Sequence, residues 1–262
     1  MSAVFLPDLR LNAELSGPAD GPPLVLIHAL GTDLHLWDDL IPLLPPSLRI
    51  LRFDLRGHGA SDVPPAPYAM GALIRDAERL MDHFALKDAV VLGVSLGGLI
   101  AQGLAVKRLD LVRGLVLSNT AAKLGRPEQW HDRIATVRAG GLESFADGAM
   151  ERWFGRDWRS NPAMPARRAR LISMNPEGWC GCAVATAGTD FYETTATLRL
   201  PTLVIAGAND AATPADLVRE TAELIPGHRF QLLRRAGHLP MVEKPAEFAT
   251  VLTAFLDSIG HS

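Results

Sequence analysis

The chain has 262 residues, 48% of them hydrophobic and 21% charged, with a formal net charge of -3. That is enough apolar mass for a full core, and the intermixed charges create no basic field able to hold a polyanion, which argues against nucleic acid as a partner. The opening stretch has no basic segment followed by a long apolar one, and no apolar run approaches the roughly 18 residues of a membrane span, so we expect no membrane insertion and a cytoplasmic location.

In chain order, a short N-terminal hairpin precedes Leu24 to Ile27, the first of several short runs of Val, Ile and Leu. Ile50 to Phe53, Val90 to Leu92 and Leu115 to Leu117 follow, each the length of a buried strand. Met70 to Phe84 lies between the second and third, with Leu73, Ile74, Ala77, Leu80, Met81 and Phe84 at helical spacing on one face. Leu96 to Val106 is a second helical run. After a long gap the alternation resumes with a strand at Leu203 to Ile205, a helix at Pro214 to Leu224, a strand at Phe230 to Leu233 and a closing helix at Pro245 to Ile259. That last helix turns Phe248, Val251, Leu252, Phe255 and Leu256 inward.

Alternating strands and helices predict an α/β architecture, a mostly parallel open sheet with helices on both faces, because parallel strands need crossovers and the crossovers cover the sheet. Residues 121–198 break the rhythm. They are helical in period, contain no convincing strand and carry Trp130, Trp153, Trp158 and Trp179, four of the five tryptophans. We therefore expect one domain, its core formed by 1–120 and 199–262, with 121–198 inserted as a helical cap whose tryptophans line a cavity. Cys180 and Cys182 are too close in sequence for an ordinary disulfide and lack C-x-x-C spacing, so both read as reduced thiols.

Gly93-Val94-Ser95-Leu96-Gly97 matches G-x-S-x-G, follows a strand and opens a helix. In that context the small residues allow a strained turn that exposes the serine; the alternative is a glycine-rich turn whose serine merely caps the helix. A serine hydroxyl is a weak nucleophile, so catalysis needs a histidine base and an acid to orient it. Both stand just beyond later strands: Asp210 in Ala206-Gly-Ala-Asn-Asp210, and His238 in Ala236-Gly-His238-Leu-Pro. The order Ser95, Asp210, His238 is that of the α/β-hydrolase fold.

An oxyanion hole needs two amide donors, for which we select Leu96, next to the serine, and Leu30, in the loop after the first parallel strand. Ala29 in that loop stands where many members of the fold carry glycine. Asp54 to Ser61 lacks phosphate-loop spacing and is read as a structural loop shaping the pocket floor. His28 and His35 have no accompanying ligand set, so no metal is expected.

Six segments carry a closer match: Leu30 to Trp37, Arg56 to Gly59, Gly93 to Gly98, Ser118 to Ala122, Glu151-Arg-Trp153-Phe, and Glu177 to Cys182. Through them the chain resembles the 3-oxoadipate enol-lactonases over nearly its whole length. The resemblance implies cofactor-free opening of a five-membered enol lactone bearing a carboxylate side chain. Arg133, one helical turn from Trp130, is the candidate for holding that carboxylate, with Trp130 and Trp153 as pocket walls. Carboxylesterase, cofactor-free perhydrolase and carbon–carbon bond hydrolase chemistry remain open on the same site, as does a ligand receptor retaining the triad. Epoxide hydrolases and haloalkane dehalogenases carry aspartate at the elbow and are disfavoured.

Overall fold

A computed structural model describes residues 2–262. Its sheet has eight strands: β1 Ser2–Phe5, β2 Arg10–Ser16, β3 Pro23–Ile27, β4 Arg49–Phe53, β5 Ala89–Val94, β6 Val112–Ser118, β7 Thr202–Gly207 and β8 Arg229–Leu233. Their spatial order is β1-β2-β4-β3-β5-β6-β7-β8. The hairpin β1/β2 is antiparallel and joins β4 antiparallel; every later neighbour pair is parallel. Each apolar run read as a strand lies within one of these strands.

The parallel strands at the centre are apolar on both faces because helices cover both. Leu24 to Ile27, Val90 to Leu92 and Leu115 to Leu117 are fully buried, each such side chain contributing roughly 1.5–3 kcal/mol. Helix α1, Met70–His83, packs its Leu73, Ile74, Ala77, Leu80 and Met81 stripe inward, and ends one residue before Phe84. Helix α2, Leu96–Lys107, is buried nearly all round and correspondingly apolar on every side.

Between β6 and β7 come five α-helices among the described residues: α3 Pro127–Gly140, α4 Glu143–Trp153, α5 Met164–Ile172, α6 Pro176–Ala187 and α7 Tyr192–Ala196. They lie against the loops at the carboxyl ends of the strands. Arg170 Nη1 on α5 meets Asp33 Oδ1 at 2.8 Å. On α6, the backbone of Gly178 sits so close to Gly57 that a Cβ on Gly178 would lie 2.3 Å from the Gly57 carbonyl oxygen.

The chain closes with α8 Ala215–Glu223, α9 Pro240–Glu243 and α10 Pro245–Ser258. Pro214 caps α8 from outside, as its missing N–H allows. Phe248, Leu252, Phe255 and Leu256 of α10 are buried, whereas Val251 is only half-buried. No helix among the described residues is long and apolar enough to cross a membrane. Cys180 and Cys182 are both free and buried, and burial pushes the Cys182 thiol well above its usual range.

Candidate active site

The turn from β5 to α2 places Ser95 at φ +54°, ψ -115°, a conformation that side chains rarely adopt. The surroundings hold it there. The Ser95 N–H donates to Ser118 O at 3.1 Å, and its carbonyl accepts from Thr120 Oγ1 at 2.6 Å. The flanking glycines are required by close backbone approach: a Cβ on Gly93 would lie 2.2 Å from Gly97 O, and one on Gly97 would lie 2.2 Å from Ile27 O.

Asp210 follows β7 and is oriented by four contacts. Its Oδ1 accepts from the amides of Ala212 and Thr213 at 2.7 and 2.9 Å, and its Oδ2 accepts from Asn119 Nδ2 and His238 Nδ1, both at 2.8 Å. With a carboxylate as acceptor, the histidine proton sits on Nδ1, leaving Nε2 as a base. His238 and Asp210 are 3% and 6% exposed, so the pair is shielded from competing water. The His238 ring and Ser95 line one cavity; the serine hydroxyl makes no hydrogen bond to a protein group among the described residues. Such contacts are commonly loose before a substrate binds.

The amides of Leu30 and Leu96 have no protein acceptor among the described residues. Leu96 N–H is a free donor at the first turn of α2, and Leu30 sits in the loop after β3, whose next amide, Gly31 N–H, is held by His58 Nε2 at 3.1 Å. Burial and then repulsion from His28 push His58 down to about 3, so it accepts as a neutral ring. His28 Nε2 in turn accepts from Leu55 N at 3.0 Å. The segment from Asp54 to Ser61 is structural as expected, but it does not line the cavity. It underlies the Leu30 loop, with Asp54 Oδ1 accepting from Leu34 N at 2.8 Å.

The cavity measures about 280 Å³ and is walled by Trp130, Trp153, Trp179, Phe145, Arg133 and Arg152, with Leu30, Ser95 and His238 at its base. Trp158 lies elsewhere, stacked on Phe154 at 4.4 Å between ring centroids, so three of the four inserted tryptophans face the cavity and not all of them. Trp130 spends its indole N–H on the Leu124 carbonyl and presents ring surface. Arg133 lies over that ring, 4.6 Å from its centroid. Trp179 keeps a buried N–H without a partner among the described residues, which costs roughly 1–3 kcal/mol.

No aspartate or glutamate lines the cavity. Burial lowers both arginines from their ordinary range, and for Arg152 the Arg133 charge adds to the effect. Arg152 was not singled out by its sequence position; nor were Asn119, which ties Asp210 to the Gly237 carbonyl, and Glu243, whose two oxygens accept from Gly237 N at 2.7 Å and Gly155 N at 2.9 Å. The signal for Asn119 was a polar residue immediately after a buried strand, on the same edge of the sheet as Ser95 and Asp210. Among the described residues no group of three or more histidines, cysteines or acids could hold a metal ion.

Residues 22–245 match the family model for the alpha/beta hydrolase fold. A 3-oxoadipate enol-lactonase of Acinetobacter baylyi is 33% identical over 251 residues, which cover 95% of this chain and 94% of that protein. The crystal structure of the enol-lactonase from Burkholderia xenovorans superposes with a TM-score of 0.94 at 31% identity, covering 98% of this chain and all of that one (100%). A hydrolase from Pseudomonas aeruginosa gives a TM-score of 0.92 at 38% identity, covering 97% of each chain.

Proposed function

The chain belongs to the alpha/beta hydrolase fold family, and from that premise we propose that it opens a small carboxylated enol lactone, 3-oxoadipate enol-lactone, to 3-oxoadipate. The observation that carries the reading is the pairing of two features in one cavity: Ser95 beside a His238 held by Asp210, and two guanidinium groups with no acid among the lining residues.

In this reading Ser95 Oγ attacks the lactone carbonyl while His238 Nε2 takes its proton, and Asp210 stabilises the imidazolium. The Leu30 and Leu96 amides receive the oxyanion. The carbonyl carbon to ring oxygen bond breaks, its electron pair leaves on the enol oxygen, and His238 returns the proton there, giving an enol that tautomerises to the ketone. Water, deprotonated by His238, then attacks the acyl-enzyme; the ester bond to Ser95 breaks and His238 returns that proton to Ser95 Oγ. Arg133 holds the remote carboxylate, and Trp130 and Trp153 wall the lactone ring. A plain carboxylesterase would have no use for two half-buried arginines facing a pocket that no acid lines, because partly desolvated charge is costly without an anion to meet it.

Loss of the ultraviolet absorbance of enol-lactone generated in place tests the proposal, with wild type run beside Ser95→Ala. Rapid loss with wild type alone supports it. Absence of lactone turnover alongside Ser95-dependent cleavage of an aryl ester keeps the serine hydrolase and discards the lactone.

A further inference from the structure

The Leu30 N–H has no protein acceptor among the described residues, yet the peptide units on both sides of the Leu30 Cα are pinned. On one side, Gly31 N–H donates to His58 Nε2 at 3.1 Å. On the other, the Ala29 carbonyl accepts from Thr32 N at 3.2 Å, from Thr32 Oγ1 at 2.8 Å and from His28 Nδ1 at 2.8 Å. His28 Nε2 already accepts from Leu55 N at 3.0 Å, which puts the ring proton on Nδ1 as the donor. Burial lowers His28 from its ordinary value, so the ring stays neutral and keeps that tautomer.

The Ala29 carbonyl and the Leu30 N–H belong to one planar trans peptide unit and point in opposite directions. Holding the carbonyl with three donors therefore fixes where the N–H points. Those donors also polarise the amide and strengthen its N–H. A turn from Ala29 to Thr32 needs only the Thr32 N–H bond to Ala29 O; the hydroxyl and the ring are additional to it. Thr32 is buried and does not line the cavity, so its hydroxyl acts on a substrate only through the loop.

We propose that Thr32 is a positioning residue of the oxyanion hole: its hydroxyl, with the His28 ring, locks the Ala29–Leu30 peptide unit so that the Leu30 N–H meets the developing oxyanion without reorganisation. The inference rests on the serine-hydrolase reading above and deepens it by explaining how the donor is held.

Hydrolysis of an aryl ester by Thr32→Val and Thr32→Ser tests it, beside inhibition by phenylboronic acid. Ser95 Oγ adds to the boron, leaving a boronate oxygen where the oxyanion would lie, so the inhibitor reports transition-state binding. Thr32→Val removes the hydroxyl at similar size and lowers kcat about 5- to 30-fold, a part of the roughly 10²–10³ lost with a whole oxyanion donor. KM stays within about twofold, because the lost interaction belongs to the transition state. Boronate affinity falls by a factor similar to kcat, and Thr32→Ser, which restores the hydroxyl, recovers both. A melting curve reports folding, and Thr32→Ala replaces the Val variant if that one does not fold.

Wild-type kcat without the hydroxyl, or a kcat loss that leaves boronate affinity unchanged or that serine does not rescue, overturns the inference while Ser95→Ala remains inactive. Ester turnover that survives Ser95→Ala removes the serine-hydrolase reading itself and the inference with it. Thr32-dependent ester cleavage without lactone turnover leaves the inference standing and removes only the proposed substrate.

Discussion

The backbone N–H of His238 donates to the carbonyl of Trp153 at 2.7 Å. The ring paired with Asp210 therefore hangs on the helical insertion as well as on its own loop. Substitutions in the insertion should be felt at the reacting groups.

Asp210→Asn preserves shape but disturbs the tautomer of His238, and should lower kcat by roughly 10⁴-fold with folding intact. Steady-state hydrolysis of an aryl ester reads the loss; near-wild-type turnover would remove Asp210 from the proposed mechanism.

Asn119→Ala deletes the donor to Asp210 Oδ2 and Gly237 O, in a residue at φ +49° that alanine adopts less readily than asparagine. We expect a destabilisation of roughly 1–3 kcal/mol and a fall in kcat larger than any change in KM. Denaturant titration and initial rates measure the two separately.

His58 is neutral in the fold, pushed down to about 3 by burial and by His28, against an unfolded value of 6.5. The unfolded chain binds this proton first as pH falls. His58 therefore leaves stability unaffected above about pH 6.5 and lowers it progressively toward pH 3, by at most about 1.4 kcal/mol per pH unit. His58→Gln keeps an acceptor for Gly31 N–H but cannot titrate; its stability between pH 6 and 4, followed by urea denaturation, should fall less steeply than wild type. A parallel fall would contradict the assignment.

Gly178→Ala places a methyl group 2.3 Å from Gly57 O, at backbone and not at a flexible side chain. Helix α6 must shift, at a cost of about 1–3 kcal/mol. The melting temperature should drop and the cavity wall formed by Trp179 should move with it, raising KM for the lactone.

Cys180 and Cys182 are fully buried, and burial raises both thiols. Neither should react with Ellman's reagent until the protein unfolds, and both should then react. Rapid labelling in the native state would show that α6 opens locally.

Much of the fold was legible because each signal was local. Val90 to Leu92 and Leu115 to Leu117 are short, partly β-branched apolar runs of strand length, and the stripe from Leu73 to Met81 falls on one face only at helical spacing. The Gly-Val-Ser-Leu-Gly elbow carries its own steric logic, since Gly93 and Gly97 must lack side chains for the turn to close. Asp210 and His238 follow their strands at the same sheet edge, so their order along the chain already implied their meeting. The strand-free period of 121–198 likewise announced helices.

What tertiary structure alone decided is which partners each polar group finds. Arg133 and Arg152 look like the many solvated arginines of α3 to α5 until the cavity closes around them without an acid. Asn119 and Glu243 acquire their contacts with residues 91 and 88 positions away, Asp210 and Gly155. Trp158 and Trp153 share an apolar character in sequence, yet one stacks on Phe154 and the other walls the site. Periodicity reports which face of an element is buried, because burial follows the repeat of the backbone. It carries no information on what lies opposite, because hydrogen bonds and charge pairs are set by where the chain folds back.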